Sequence, residues 1–321
     1  MKVNSYGKDT PMTDSRRMQC ELLTENQIIL LKNFPLESFY VLEGVSSIYA
    51  YNKSLADSQR IKHIVRLIKD KTKKFSYFQA SLKIILAAIL SLELEPEKLL
   101  DKIIDKYSEL RKHFRGSQYL PYAAYLLVKH GENITAEQIK EYHTLLRSER
   151  PAWGVENDII FATLYAIFGK KAKYAVSDIQ TYRKELASIL PRHSAKTVAR
   201  IFVFGEQRGY TEKFIKLKKL LDESKIKIGK ANENAAIALF ALLDIDEESV
   251  EDMLWKFIDH IEKFSKKPKL IPQKRRTMYS SLILYEDIIK DIDNKALMLA
   301  KEAAFAVALS IAINLTATVH A

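Results

Sequence analysis

Glycine and proline are scarce in this chain of 321 residues, with 9 and 8 respectively, where average usage is roughly 7% and 5%. Sandwiches, barrels and doubly wound sheets place those residues at most of their turns, so such architectures are disfavoured, and collagen-like or low-complexity readings are excluded. Cysteine is scarcer still. Cys20 stands alone, which excludes an intramolecular disulfide and a cysteine-based zinc site and suits a reducing cytoplasm. No two glycines are separated by one residue, so GxGxxG is absent, as are the Walker loop and the GxSxG elbow. Seven histidines are scattered without an HExxH pair. No metal and no cofactor is therefore expected. The stretch MKVNSYGKDTPMTDSRRMQ lacks the apolar run of a secretory signal, and residues 1–20 read as a flexible lead-in.

What is present is apolar and charged material in helical rhythm. Hydrophobic residues make up 47% and charged ones 28%, enough for a substantial core. Apolar segments begin near Glu37, Ser76, Ser117, Glu156, Ala195, Glu233 and Pro272, at intervals of 39, 41, 39, 39, 38 and 39 residues. Periods close to 40 match HEAT and armadillo hairpins better than the roughly 34-residue tetratricopeptide unit. The expected fold is thus all-α: an α-solenoid of about seven helical hairpins with a period near 39 residues, in one domain over 21–321, with residues up to 36 as an N-terminal cap. Gly131, Gly169 and Gly209 lie 14, 13 and 14 residues past their repeat starts, where the first helix of each hairpin should end in a left-handed residue. Within a unit the first helix carries a wide apolar face, as in Ile159–Phe168, and the second a narrow one, as in Leu99, Leu100, Ile103, Ile104, Tyr107 and Leu110. Pro96 with Glu97, Thr135 with Gln138, and Asp246 ahead of Glu247 and Glu248 read as helix starts.

Residues 303–321, AAFAVALSIAINLTATVHA, carry no Asp, Glu, Lys or Arg. The run is Ala-rich, holds several polar residues and has no Trp or Tyr belt. It reads as a closing helix packed on both sides rather than a membrane span of about 20 strongly apolar residues.

Charge is the most unevenly distributed property. The net charge of +11 resolves into three positive clusters on a remainder that sums to −5. Residues 58–75, with Lys69, Lys71, Lys73 and Lys74, sum to +6; 212–230, with Lys216, Lys218 and Lys219, to +4; and 265–276, with Lys266, Lys267, Lys269, Lys274, Arg275 and Arg276, to +6. All lie on or just after second helices, so repeat geometry would align them along one edge, where they could track phosphates. Phe75, Tyr77 and Phe78 border the first cluster without interleaving it. A separate candidate pocket is the stretch around Trp153, Glu156 and Asp158, where two acids beside an aromatic could act in acid–base chemistry or merely complement a helix N-terminus.

The segments Ser117–Leu127, Trp153–Asp158 and Ala235–Leu243, with the uncharged C-terminal helix, resemble the DUF4003 family of helical proteins from low-GC Gram-positive bacteria over nearly the full length. The resemblance implies a similar helical fold and a cytoplasmic life, and brings no activity or site residues with it. The expected function is a non-catalytic helical-repeat interaction protein binding a protein or peptide. The alternatives are a nucleic-acid-binding protein using the basic clusters, and an enzyme with a pocket near Trp153, Glu156 and Asp158.

Overall fold

A computed structural model of the chain describes residues 11–73, 76–148, 157–205, 207–229, 232–264 and 271–319. Among these residues the fold is all-α, with fifteen α-helices, one short 3-10 turn (Tyr77–Gln79) and no strand. In chain order the helices are α1 (Asp14–Asn33), α2 (Phe39–Tyr51), α3 (Ser58–Lys71), α4 (Lys83–Ser91), α5 (Pro96–Leu110), α6 (Leu120–His130), α7 (Ala136–Ser148) and α8 (Asp158–Phe168). They continue as α9 (Ala172–Leu186), α10 (Arg192–Phe202), α11 (Tyr210–Glu223), α12 (Asn234–Ala241), α13 (Glu247–Phe264), α14 (Gln273–Ile289) and α15 (Lys295–Val319).

Helices of two kinds alternate. In α8 every residue from Asp158 to Ile167 is buried, and so is all of α12. Helices hydrophobic all round must be surrounded by protein. The helices between them are amphipathic. Only Ile61, Ile64 and Ile68 are buried in α3, and only Leu100, Ile103 and Leu110 in α5, the i, i+3/4, i+7 stripe of a helix covered on one side. Each large apolar side chain so buried contributes about 1.5–3 kcal/mol before entropy is counted.

Local signals set the boundaries. Asp57 accepts the Arg60 backbone N–H at 2.9 Å at the start of α3, and Pro96 opens α5, where its missing N–H costs nothing. Thr135 and Gln138 form the reciprocal capping box ahead of α7, with bonds of 2.8 and 3.3 Å. Asp246 accepts from the Ser249 backbone N–H at 2.7 Å to start α13. Gly169 ends α8 with φ +84°, a left-handed value that glycine adopts without a Cβ penalty. The other two glycines differ from the expectation. Gly131 ends α6 at φ −150°, outside the left-handed region, and Gly209 caps the start of α11 at φ +91°, because α10 already ends at Phe202.

The chain gathers into two compact units, each assembled from separate segments. The first takes residues up to 32, 46–56 and 178–311; the second takes 33–45, 57–177 and residues from 312. In the first, α10 packs on α12, α12 on α14, α11 on α13 and α13 on α14. The N-terminal segment is part of it. Residues 14–20, expected as lead-in, belong to α1; Arg16 donates to Asp287 on α14 at 3.0 Å, and the Cys20 thiol to the Phe257 carbonyl on α13 at 3.5 Å. In the second unit α3 packs on α4, α5 on α6, α7 on α8 and α6 on α8.

The uncharged C-terminal run is one stretch of a longer helix. Lys295–Thr316 is long and apolar enough to cross a membrane, with mean hydropathy 1.9, but 78% of that window is buried within the protein. Polar anchors hold both ends of α15. Lys301 pairs with Glu286 at 2.9 Å in the first unit, and Thr316 donates to Ser38 Oγ at 2.5 Å in the second.

Candidate functional site: a basic edge on the second unit

Positive side chains of the second unit gather at the ends of α3 and α5 (Lys71, Lys73 and Arg111) and on α7 (Lys140 and Arg147), and those at helix C-termini are favoured by the dipole. Two cavities open there. The larger, about 700 Å³, is lined by Lys71, Lys73, Tyr77, Tyr107 and Arg111, with Phe78 and Ile104 supplying apolar wall. Its geometry follows from how α3 stops. Thr72 turns its hydroxyl back onto the Ile68 carbonyl at 2.6 Å and accepts from Gln79 Nε2 at 3.2 Å, which brings the 3-10 turn against the helix end. The Phe78 and Tyr107 rings meet edge to face with centroids 4.8 Å apart, a favoured aromatic arrangement. Burial pushes the Tyr107 hydroxyl pKa up, against the opposing pull of Arg111, so this phenol stays protonated. Tyr77 remains 40% exposed.

The second cavity, about 340 Å³, lies between the turn after α5 and α7. His113, Arg115, Lys140, His143 and Arg147 surround it, over a floor of Phe114, Leu120 and Ile159. Phe114 and His143 meet edge to face at 5.4 Å. Burial lowers the His143 pKa, with the Asp158 carboxylate opposing and Arg147 adding to the shift. No described carboxylate lines either cavity. The turn after α5 serves both, through Arg111 on one side and His113 to Ser117 on the other. Gly116 lets this turn close on Tyr77: a Cβ there would sit 2.0 Å from Tyr77 Cε2.

The residues singled out in the sequence fare unequally. Lys71 and Lys73 line the larger cavity, and Lys71 is also held by Asp101 at 2.6 Å. Lys69 is exposed on α3, and Lys74 lies outside the described residues. The second cluster is neutralised by its own neighbours. Lys216 pairs with Glu247 and Glu248 at 2.9 and 3.0 Å, Lys218 with Asp222 at 3.0 Å and Lys219 with Glu223 at 3.8 Å. Of the third cluster, Lys266, Lys267 and Lys269 lie outside the described residues, Lys274 is exposed and Arg275 half-buried. Arg276 is buried, donating to Glu262 and to the Ile271 carbonyl, both at 3.0 Å, a structural role. Trp153 and Glu156 also fall outside the described residues, while Asp158 is 1% exposed at the start of α8. Its carboxylate thus does not face an open cleft. Among the described residues no three His, Cys, Asp or Glu side chains converge as metal ligands would.

Comparison with known families adds the relationship. The family model described as "Protein of unknown function (DUF4003)" matches residues 30–316. The chain belongs to the DUF4003 family. No curated protein and no solved structure gives a significant match to this DUF4003 chain.

Arg111, Arg115, Lys140, Arg147 and Tyr107 escaped the sequence reading, which looked for dense clusters. Arg111 and Arg115 stand in the turn after α5, and Lys140 and Arg147 on α7, each too widely spaced in the sequence to stand out by density.

Proposed function

We propose that this DUF4003 protein is a non-catalytic interaction protein built on helical hairpins, and that the basic edge of its second unit receives a negatively charged partner. One observation carries the reading: two neighbouring cavities are lined by cationic and aromatic side chains with no described carboxylate among them. Surface lysines that merely aid solubility are interspersed with acids, as Lys216, Lys218 and Lys219 are; at the edge, the acids that pair with Lys71 and His113, Asp101 and Glu137, stand outside the cavity linings. The alternation of fully buried and one-sided helices supports a hairpin repeat near 39 residues, and the lone buried Cys20 suits a cytoplasmic location. Helices such as α8 and α12, buried on all sides, leave no open face of their own for a partner.

The test is binding of a panel of polyanions (heparin, polyphosphate, poly-glutamate and oligonucleotides) to the intact protein against salt. Binding that weakens with salt and is lost in Lys73→Glu/Arg115→Glu supports the reading. Binding unaffected by that pair, or absent throughout, removes it.

A further inference from the structure

We propose that the partner on this edge is a single-stranded nucleic acid, its bases stacking in the Tyr77–Tyr107 cavity and its phosphates lying on Lys73, Arg111, Arg115 and Lys140. The inference rests on the reading of the edge as an anion-binding surface and names the anion.

Charge alone would admit any polyanion, so the aromatic content of the larger cavity decides. Tyr77 is 40% exposed while lining the recess, and Tyr107, which also lines it, is held edge to face by Phe78. A strand of nucleotides alternates a planar apolar base with a charged phosphate, and this cavity sets rings and apolar wall beside Lys73 and Arg111. Aromatic platforms in basic grooves bind single strands in just this division of labour. A duplex keeps its bases inside the stack and would offer the rings nothing. An acidic peptide would meet the cations, but its carboxylates are charged and small and supply no broad apolar face for the rings.

Two further observations agree. The Ser76 hydroxyl, in a residue that lines the cavity, is buried without a hydrogen-bond partner among the described residues. The second cavity repeats the design across the turn after α5, with Phe114, Leu120 and Ile159 below Arg115 and Lys140. A strand leaving the first cavity past Gly116 meets cations again.

Fluorescence anisotropy on the full chain tests this with labelled fifteen-nucleotide dT and rU strands, a duplex of the same length, polyphosphate and poly-glutamate. Both single strands should bind better than the duplex, with a slope of log affinity against log salt of about −2 to −3 for three or four phosphates at roughly 0.7 each. Tyr77→Ala should weaken the single strands about tenfold, as loss of one stacked base does, and leave polyphosphate unchanged; preference for dT or rU then names the strand. Lys73→Glu/Arg115→Glu should weaken every polyanion. Equal binding of duplex and strand, or a Tyr77→Ala protein that binds strands as well as wild type, overturns the inference while the anion-binding edge stands. Poly-glutamate binding without strand binding does the same and gives the edge to an acidic protein. No binding of any polyanion removes both.

Discussion

Arg16 Nε donates to Asp287 Oδ2 at 3.0 Å, tying α1 to α14 across 271 residues of sequence. Both side chains are less than a tenth exposed, and Lys290 at 3.0 Å and Lys53 at 3.7 Å complete the shell around the carboxylate. Removing one partner of a buried pair is costly because the other charge stays behind. Arg16→Ala leaves Asp287 two lysines and should cost about 2 kcal/mol, whereas Asp287→Ala strips three cations of their shared anion and should cost about 3 kcal/mol or more. Urea unfolding of the two variants checks the order. Burial alone would raise the Asp287 carboxyl pKa, but the hydrogen bonds from Lys290 and Arg16 hold it below the usual carboxylate range. A group depressed in this way stabilises fully above its unfolded pKa near 4. That contribution disappears as pH falls through the folded value, so wild-type stability should drop below about pH 4, and Asp287→Asn should flatten this part of the profile.

Cys20 reports on the same junction. It is wholly buried, its thiol donates to the Phe257 carbonyl, and burial pushes its pKa well above the ordinary thiol value. Thiolate is the reactive form, so iodoacetamide should label the native protein only through opening of α1 from α13. The labelling rate should rise with urea as global stability falls. A native rate matching a free thiol would show that α1 detaches freely.

The helix α15 makes opposite predictions as a core element and as a membrane anchor. Val307 and Leu309 are wholly buried, so Leu309→Ala should cost about 2–5 kcal/mol. The wild-type protein should stay in the supernatant with neutral vesicles, which offer the basic edge no charge, and removal of 303–321 should unfold it. A truncated protein that keeps its melting transition would contradict the packing of α15.

Much of the architecture was legible because it is written in periodicities that burial enforces. The apolar runs that form α6, α8, α12 and α14 and the capping residues Thr135, Gln138 and Asp246 fix elements through local chemistry alone. The start of α1 was not legible for a physical reason: polar Arg16, Gln19, Thr24, Asn26 and Gln27 share its buried face with Cys20, Leu22, Leu23 and Leu30. Asn26 donates to the Ser54 carbonyl at 3.0 Å and accepts from the Ala56 N–H at 2.7 Å, and Gln27 accepts from Ser46 at 3.0 Å. Polar residues on that face dilute its hydrophobic period, and their partners are remote in sequence. The site was half legible. Lys71 and Lys73 stood out by density, but whether a lysine is free or paired depends on what the next helix presents. Glu247 and Glu248 neutralise Lys216 from α13, and nothing in the run 212–230 announces it.

Gly116 gives the sharpest test of the edge, because it moves a ring without deleting it. A Cβ at this position would lie 2.0 Å from Tyr77 Cε2 and 2.8 Å from Cζ, the far end of a partly exposed side chain. Such an end can swing aside, so Gly116→Ala should cost about 1 kcal/mol or less in stability. The displaced ring should no longer stack, and oligo-dT affinity should fall toward the level of Tyr77→Ala with polyphosphate affinity intact. The double variant should then bind no worse than Tyr77→Ala alone, since both changes remove one interaction, and that non-additivity is the signature of direct coupling. Losses that simply multiply in the double variant would mean that Gly116 acts on binding by a route other than Tyr77.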